Sequence, residues 1–312
     1  MTTKKRVKKK HYTRKKRINK VLKGGSNKTR TFKKANCAPS NEHKDYTCYT
    51  PEALNKMKQL WNTRHPDHKI VSTTPHDIWS DLKTNMLDTC DVETCWLDQE
   101  FVKNDLKKEL SNSTFTPASP KSWTKNPTEW LSSVDITKVM KQYEKADKNF
   151  VFIGPSPIDF DTREMYNQCV WDELCNFNLK KHVEKGKTKI GIIFNTDPHY
   201  LKGSHWISLF INVKKRFIFF FDSNGDPVPK EIDVLCKRIM DQAKAMGISL
   251  TFRQNAPLEH QYENTECGMY SLYFIISLIK DTHNYTYFMK HRIPDKLMKA
   301  LRLKFFNVGG NY

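Results

Sequence analysis

The run Met269-Tyr-Ser-Leu-Tyr-Phe-Ile-Ile-Ser-Leu-Ile279 is charge-free and of helix length. A helix that is apolar on every side must be covered on every side, so this segment predicts a buried helix at the centre of the fold. Cys267 and Gly268 stand immediately before it, which puts a thiol at the helix N-terminus. There the partial positive charge of the helix end lowers a thiol pKa and favours the reactive thiolate. Gly268 has no side chain, so a substrate backbone can come close and the first helical N–H groups can face a developing oxyanion. Six residues upstream of Cys267, Gln261 offers a side-chain amide as a second donor.

A base for this thiol is available in Gly203-Ser-His205-Trp206, which opens an apolar run to Val213. Lys214-Lys215-Arg216 interrupts that run, and Phe217-Ile-Phe-Phe-Phe-Asp222 resumes it, as in a β-hairpin with a cationic turn. With the turn centred between Val213 and Lys214, His205 and Asp222 are direct cross-strand neighbours. Slid by one residue, the hairpin brings Asn224 opposite His205, so Asp222 and Asn224 are both available to orient the imidazole. Either accepts from one ring nitrogen while the other nitrogen faces the thiol. A lone cysteine or histidine is usually a packed structural residue. Here histidine, carboxylate, glutamine and cysteine occur in one order across a hairpin and a helix start, and that joint pattern points to nucleophilic catalysis.

The formal charge of +19 is unevenly placed. Residues 1–34 hold 16 of the 53 Lys and Arg and no acidic residue, leaving 37 cations against all 34 acids. Lys8, Lys9, Lys10, Arg14, Lys15, Lys16 and Arg17 lie in a segment too poor in apolar residues to fold, so 1–45 is expected to be a disordered tail. Such cation clusters bind polyanions by counterion release, pointing to DNA attachment or to nuclear import. The chain has no apolar N-terminal segment and no apolar run of membrane-spanning length, so secretion and membrane insertion are not expected. Eight cysteines without a matched zinc spacing read as structural thiols in a reducing compartment, with no metal site and no cofactor.

Residues 46–120 read as a helical arm. Thr50-Pro51 and Thr74-Pro75 are helix starts, a third helix is expected from Glu93 to Leu110, and Ser111 to Pro127 has linker composition. The body, 121–312, offers strands at Phe150–Ile153, Ile190–Asn195, Ile207–Val213, Phe217–Asp222 and Ile248–Arg253. Helices are expected at Val134–Lys145, Lys230–Met246, Cys267–Lys280 and after Pro294. Interspersed helices and strands give an α+β class, with a central mixed sheet flanked by helices and one cleft.

At these residues the chain resembles the ubiquitin-like-protein-specific cysteine proteases, a group including the adenovirus and African swine fever virus polyprotein proteases. The group's order is His-Trp, then Asp or Asn, then Gln, five residues and Cys-Gly; here His205-Trp206, Asp222, Gln261 and Cys267-Gly268 stand in that order. Trp130-Leu131 is similar to the Trp-Leu-Asn-Asp start of SUMO-protease catalytic domains, with Ser132 and Ser133 replacing the Asn-Asp pair. Gln142-Tyr143, Asn149-Phe150 and Pro157-Ile158-Asp159-Phe160 resemble the swine fever virus enzyme and its giant-virus relatives.

The resemblance implies a papain-like, adenain-type core over residues 127–306. It implies a thiol endopeptidase in which Cys267 attacks, His205 moves the proton, Asp222 orients it, and Gln261 with the Cys267 N–H binds the oxyanion. Trp206 and Trp130 would wall a tunnel admitting only Gly-Gly before the cut, by excluding any Cβ. Viral polyprotein or core precursors with Gly-Gly-Xaa sites are the implied partners, in the virion and the cytoplasmic virus factory, with the nucleus open to the basic tail. The chain's own pairs at Gly24-Gly25 and Gly309-Gly310 are candidate self-processing sites. Deconjugation of ubiquitin-like modifiers is the alternative activity. A DNA-packaging protein with an inactive protease fold is the other alternative, and the complete candidate set stands against it.

Overall fold

The computed structural model describes residues 31–41, 46–163 and 165–307. Five strands form one sheet in sequence order: β1 (Phe150–Pro157), β2 (Lys189–Asn195), β3 (Trp206–Asn212), β4 (Phe217–Phe221) and β5 (Thr251–Gln254). The outer pairs β1–β2 and β4–β5 are parallel, and the central pairs are antiparallel. The helices are α1 (Pro51–Arg64), α2 (Pro75–Met86), α3 (Asn104–Ser113), α4 (Ser133–Ala146), α5 (Asp172–Cys175), α6 (Leu179–Glu184), α7 (Lys230–Ala245), α8 (Cys267–Ile279), α9 (Tyr285–Lys290) and α10 (Asp295–Phe305).

Both faces of the sheet are covered, so the inner strands β2, β3 and β4 are almost continuously buried, and only the edge strand β5 alternates. Phe210, Phe217, Phe219 and Phe221 meet Met269, Leu272, Phe274 and Ile275 of α8 in one core, closed over by α4. Ile207, Leu209, Ile211, Ile218 and Phe220 meet Ile232, Leu235 and Ile239 of α7 in the other. The predicted central helix is α8, with every residue buried except Tyr273. Its close approach needs Gly191 on β2, where a Cβ would come within 2.9–3.0 Å of the Phe150 and Ile275 side chains.

A third core belongs to the arm. Thr50 caps α1 by accepting from Ala53 N–H at 3.1 Å, and Thr74 caps α2 by accepting from Asp77 N–H at 3.2 Å, each with proline in the first turn. Their apolar stripes enclose Leu54, Met57, Trp61, Ile78, Leu82 and Trp96. The expected third helix is in fact a 3-10 turn, Glu93–Asp98, followed by α3. Here Glu93 is buried, accepting from Cys48 N–H and Trp79 Nε1–H rather than presenting a charge to solvent.

Two segments depart from the expected organisation. Residues 32–41 are not tail: Ala35 and Ala38 are buried, and from Phe32 onward the described residues form one compact unit. The basic clusters from Lys8 to Arg17, Gly25 and Gly310 lie outside the described residues. Likewise, the polar stretch expected as a linker after α3 is integrated into the fold. Phe115 is fully buried, and Asn307 clamps the segment by donating to Asn36 O and Thr116 Oγ1, each at 2.9 Å, while accepting from Asn36 N–H at 2.8 Å. Polar composition suits a hydrogen-bonded seam as well as a solvated linker, which is why composition misread it.

The cysteines also depart from expectation. Cys37–Cys48, Cys90–Cys95 and Cys169–Cys175 are disulfides, leaving Cys236 and Cys267 as the free, buried thiols. Close spacing in loops that fold back brought the partners together, and the inference of a reducing compartment loses its basis.

Behind Cys267 lies a buried ion pair. Arg302 of α10 donates from Nε to both carboxylate oxygens of Glu266, at 3.2 and 2.8 Å, and stacks its guanidinium 4.7 Å from the Trp123 ring centroid. Breaking such a pair from one side strands the other charge. Arg302→Met is expected to lower unfolding free energy by about 3–5 kcal/mol in chemical denaturation, and Arg302→Met combined with Glu266→Gln by clearly less. Equal losses in the two variants would show that the pair contributes only packing.

Candidate active site

The hairpin that carries His205 adopts the second of the two registers. Ser208 pairs with Phe221 and Asn212 with Phe217, so His205 faces Asn224 by extrapolation and Asp222 lies diagonally across on the same face. Pairing ends at Phe221, and the chain turns there, which lets the Asp222 side chain reach back. Its Oδ1 sits 2.7 Å from His205 Nε2. Asn224 contributes only its backbone N–H, which donates to the same oxygen at 2.9 Å. Of the two candidates it is thus Asp222 that meets the imidazole. The contact is diagonal rather than the direct cross-strand pairing of the first register.

Asp222 is itself held. Asn255, just after β5, accepts from Asp222 N–H at 2.9 Å and donates to Asp222 O at 2.7 Å. With Nε2 engaged, Nδ1 is the ring nitrogen left for Cys267, whose side chain also hydrogen-bonds His205. Burial is the largest single influence on this imidazole and favours its neutral form. The hydrogen bonds and charges of Asp222 and Cys267 together outweigh it and raise the pKa from 6.5 to about 10. The neighbouring His260 is the opposite case. Burial lowers its pKa to about 4, with Nε2 donating to Phe288 O and Nδ1 accepting from Ile293 N–H, so it is a neutral structural group.

Gln261 enters the same site through Ser223. Ser223 O accepts the backbone N–H of both His260 and Gln261, and Ser223 Oγ donates to Gln261 Oε1 at 2.9 Å. That bond fixes which end of the amide is which: Oε1 is turned to the hydroxyl, and Nε2 is left without a hydrogen bond among the described residues. Ser223 and Asn255 were not singled out from sequence. For Ser223 a signal existed in its place directly after Asp222, whereas Asn255 is silent until β5 is docked.

The two tryptophans flank the start of α8. Trp206 donates from Nε1 to Leu131 O at 2.9 Å, and Ser271 Oγ donates to Trp206 O at 3.3 Å, tying α8 to β3. Trp130 is 45% exposed and donates to Asn264 O at 2.8 Å. Gly268 needs a different account from the one its sequence suggested. A Cβ there would meet Leu131 at 3.0 Å and the Trp206 ring at 3.2 Å, so the space is filled by the protein's own Trp130-Leu131 segment rather than kept for substrate. Ser132, in place of the SUMO-protease Asn, forms a capping box with Asp135 at the start of α4. No cluster of potential metal ligands occurs among the described residues.

Residues 167–308 match the family described as the Ulp1 protease family, C-terminal catalytic domain. The thiol protease R355 of Acanthamoeba polyphaga mimivirus is 31% identical over 191 residues, covering 60% of this chain and 60% of that protein. A cysteine protease of African swine fever virus is 26% identical over 234 residues, covering 70% of this chain and 84% of that one. In three dimensions the chain resembles the crystal structure of the swine fever virus protease, with a TM-score of 0.60, 21% identity, and coverage of 88% of this chain and 96% of that chain. At that identity the likeness speaks for the fold, here a mixed five-stranded sheet between helices.

Two measurements test the site. Because the folded pKa of His205 is raised, its charged form contributes stability in full below about 6.5 and loses it as pH climbs towards about 10. The stability gap between wild type and Asp222→Asn is therefore expected to be widest near pH 6 and to close towards pH 10; a gap that widens with pH would contradict the charge arrangement. Ser223→Ala is expected to reduce kcat for a peptide substrate by roughly 10-fold, less than the outright loss of an oxyanion donor. Alkylation of Cys267 by iodoacetamide, which forms no oxyanion, should be unchanged, and equal losses in both reactions would place Ser223 on the thiol instead. Residues 167–308 are thus similar in sequence to the Ulp1 protease catalytic domain, the chain's relatives are thiol and cysteine proteases, and the fold is that of the swine fever virus protease.

Proposed function

We propose that this chain is a cysteine endopeptidase that cuts viral polyprotein or core-protein precursors after Gly-Gly. The observation that carries the reading is the convergence on His205 of Asp222 at Nε2 and Cys267 on the other side, at the start of a buried helix. Cys267 Sγ attacks the scissile carbonyl carbon. The proton shared with His205 Nδ1 ends on the imidazole and passes to the leaving amine. Water then hydrolyses the thioester, with His205 taking its proton. Asp222 keeps the ring oriented and stabilises its charged form. The unpartnered Gln261 Nε2 and the Cys267 N–H are the donors for the tetrahedral oxyanion.

Selection of glycine follows from the aromatic walls. Trp130 is fixed by an indole hydrogen bond to Asn264 O, three residues before Cys267, and Trp206, beside Gly268, by one to Leu131 O. A chain threaded between two such plates has little room for a Cβ at the two positions before the cut. The basic clusters from Lys8 to Arg17 would concentrate the enzyme on packaged DNA in the virion or virus factory, and Gly25 and Gly310 are the chain's own sites for self-processing. The arm, 46–120, would contact precursor or support the cleft.

A second reading has its own support: the counterpart in another swine fever virus isolate carries the name SUMO-1 cysteine protease and matches this chain at 26% identity over 234 residues. It predicts release of a folded ubiquitin-like modifier. One experiment separates the two: peptides varied around Gly-Gly-Xaa, with SUMO and ubiquitin precursors, incubated with wild type and Cys267→Ser and read by mass spectrometry. Cutting after Gly-Gly in short peptides, at least roughly 10³-fold weaker in Cys267→Ser, is expected for the endopeptidase. Cutting confined to the folded modifiers would establish the deconjugase, and no cutting of any substrate would favour the inactive DNA-binding reading.

A further inference from the structure

A groove of about 810 Å³ lies between α4 and the catalytic sheet. Lys138, Lys141 and Lys145 line its α4 side, Gly154 and Pro155 of β1 line the other, and Pro117 and Ala118 of the clamped arm segment close one end. It shares Pro155 and Trp171 with a second cavity of about 280 Å³, whose lining reaches Gly203 and Trp206. The two cavities adjoin at Pro155 and Trp171, and the smaller one reaches Trp206, whose ring lies against Gly268 beside Cys267.

The charge along the larger groove is one-sided, and the smaller cavity holds Asp197 beside Lys202. Neither aspartate nor glutamate lines the larger groove. Lys138, Lys141 and Lys145 recur at i, i+3 and i+7, so a single helix face presents all three to it. Lys141 is paired with Glu144, but Lys138 and Lys145 make no ion pair among the described residues. Val134, exposed to 58%, adds an apolar surface ahead of Lys138. A groove with an apolar start and a row of cations, adjoining a cavity that reaches Trp206, suits an extended peptide carrying acidic side chains.

We propose that this groove binds the precursor segment N-terminal to the scissile Gly-Gly and selects for acidic residues in it. The inference rests on the endopeptidase reading, which puts Gly-Gly at the Trp206 wall and so sends the upstream residues towards α4. Along a helix rising 1.5 Å per residue, Lys138 and Lys145 stand roughly 8 and 18 Å from Ser133, beside that wall. An extended chain advancing about 3.3 Å per residue reaches them roughly three and six residues beyond the glycines.

The test uses the full chain and three peptides with a common Gly-Gly-Xaa site, carrying Glu, Ser or Lys at the third to sixth positions upstream of the glycines. For wild type at low salt, the Glu peptide is expected to exceed the Ser peptide in kcat/KM by roughly 3- to 10-fold, as two exposed ion pairs allow, with the advantage shrinking at high salt. In Lys138→Glu/Lys145→Glu the order should invert in favour of the Lys peptide, with the Ser peptide cut at the wild-type rate. If wild type cuts all three alike, or the preference survives the double substitution, the groove assignment is overturned while the Gly-Gly reading stands. If no Gly-Gly peptide is cut, that reading fails and takes this inference with it. Duplex DNA offered to Cys267→Ala, with and without the two charge reversals, covers the other polyanion. DNA affinity lost with Lys138 and Lys145, together with indifferent peptide cleavage, would overturn the proposal in favour of nucleic acid.

Discussion

The position of α8 is the constraint from which the site follows. Its 13 residues include 12 that are buried, so it can exist only where sheet, α4 and α10 cover it together. A helix so placed brings its first residue to the margin of the core, and that residue is Cys267. No side chain caps the helix start. Glu266 is pinned from behind by Arg302 instead, and Arg302 also donates to Thr265 O at 3.3 Å. Such a pair adds little net stability over an apolar substitute, but it tolerates few geometries. Placed one residue before Cys267, it fixes where the turn ends and the helix begins.

The other members of the site are held through backbone rather than through one another. Asp222 is braced by Asn255 and by the Asn224 N–H, while Gln261 is braced by Ser223, whose carbonyl also takes two backbone N–H groups. Residues 222 and 223 thus connect the strand end that orients the imidazole to the segment that carries the amide. A shift of that strand end would disturb both functions together. This wiring also accounts for the register: pairing must stop at Phe221 for Asp222 to leave the ladder and turn towards His205.

Apolar patterning carries the parts of this fold that could be read in advance. The strands, the capped helices of the arm, and α8 with its leading cysteine all follow from runs and caps whose physics is local. Hairpin pairing narrowed the orienting residue to Asp222 or Asn224. It could not choose, because the choice depends on where the ladder ends, and Asn255 helps to set that from a distant strand. Gly268 was misread for a similar reason, since the segment filling its missing Cβ lies far away in sequence at Leu131. The seam around Asn307 is polar, and polarity alone does not distinguish a satisfied interior from a solvated loop.

The cysteines show how burial and partners, rather than residue type, assign chemistry. Cys236 and Cys267 are both free and both buried, yet only one is placed to react. Cys236 sits on α7 in the aliphatic core, where burial and the nearby Asp233 push its thiol pKa well above the ordinary range. Cys267 has an imidazole within hydrogen-bond reach, itself held in the charged form by Asp222. The other six cysteines are consumed in short-range disulfides: two staple the arm, and the third closes the loop bearing Trp171. Trp171 walls both cavities. The cysteine chemistry is thereby divided, with oxidised pairs holding the arm and the Trp171 loop, and one thiol left beside an imidazole.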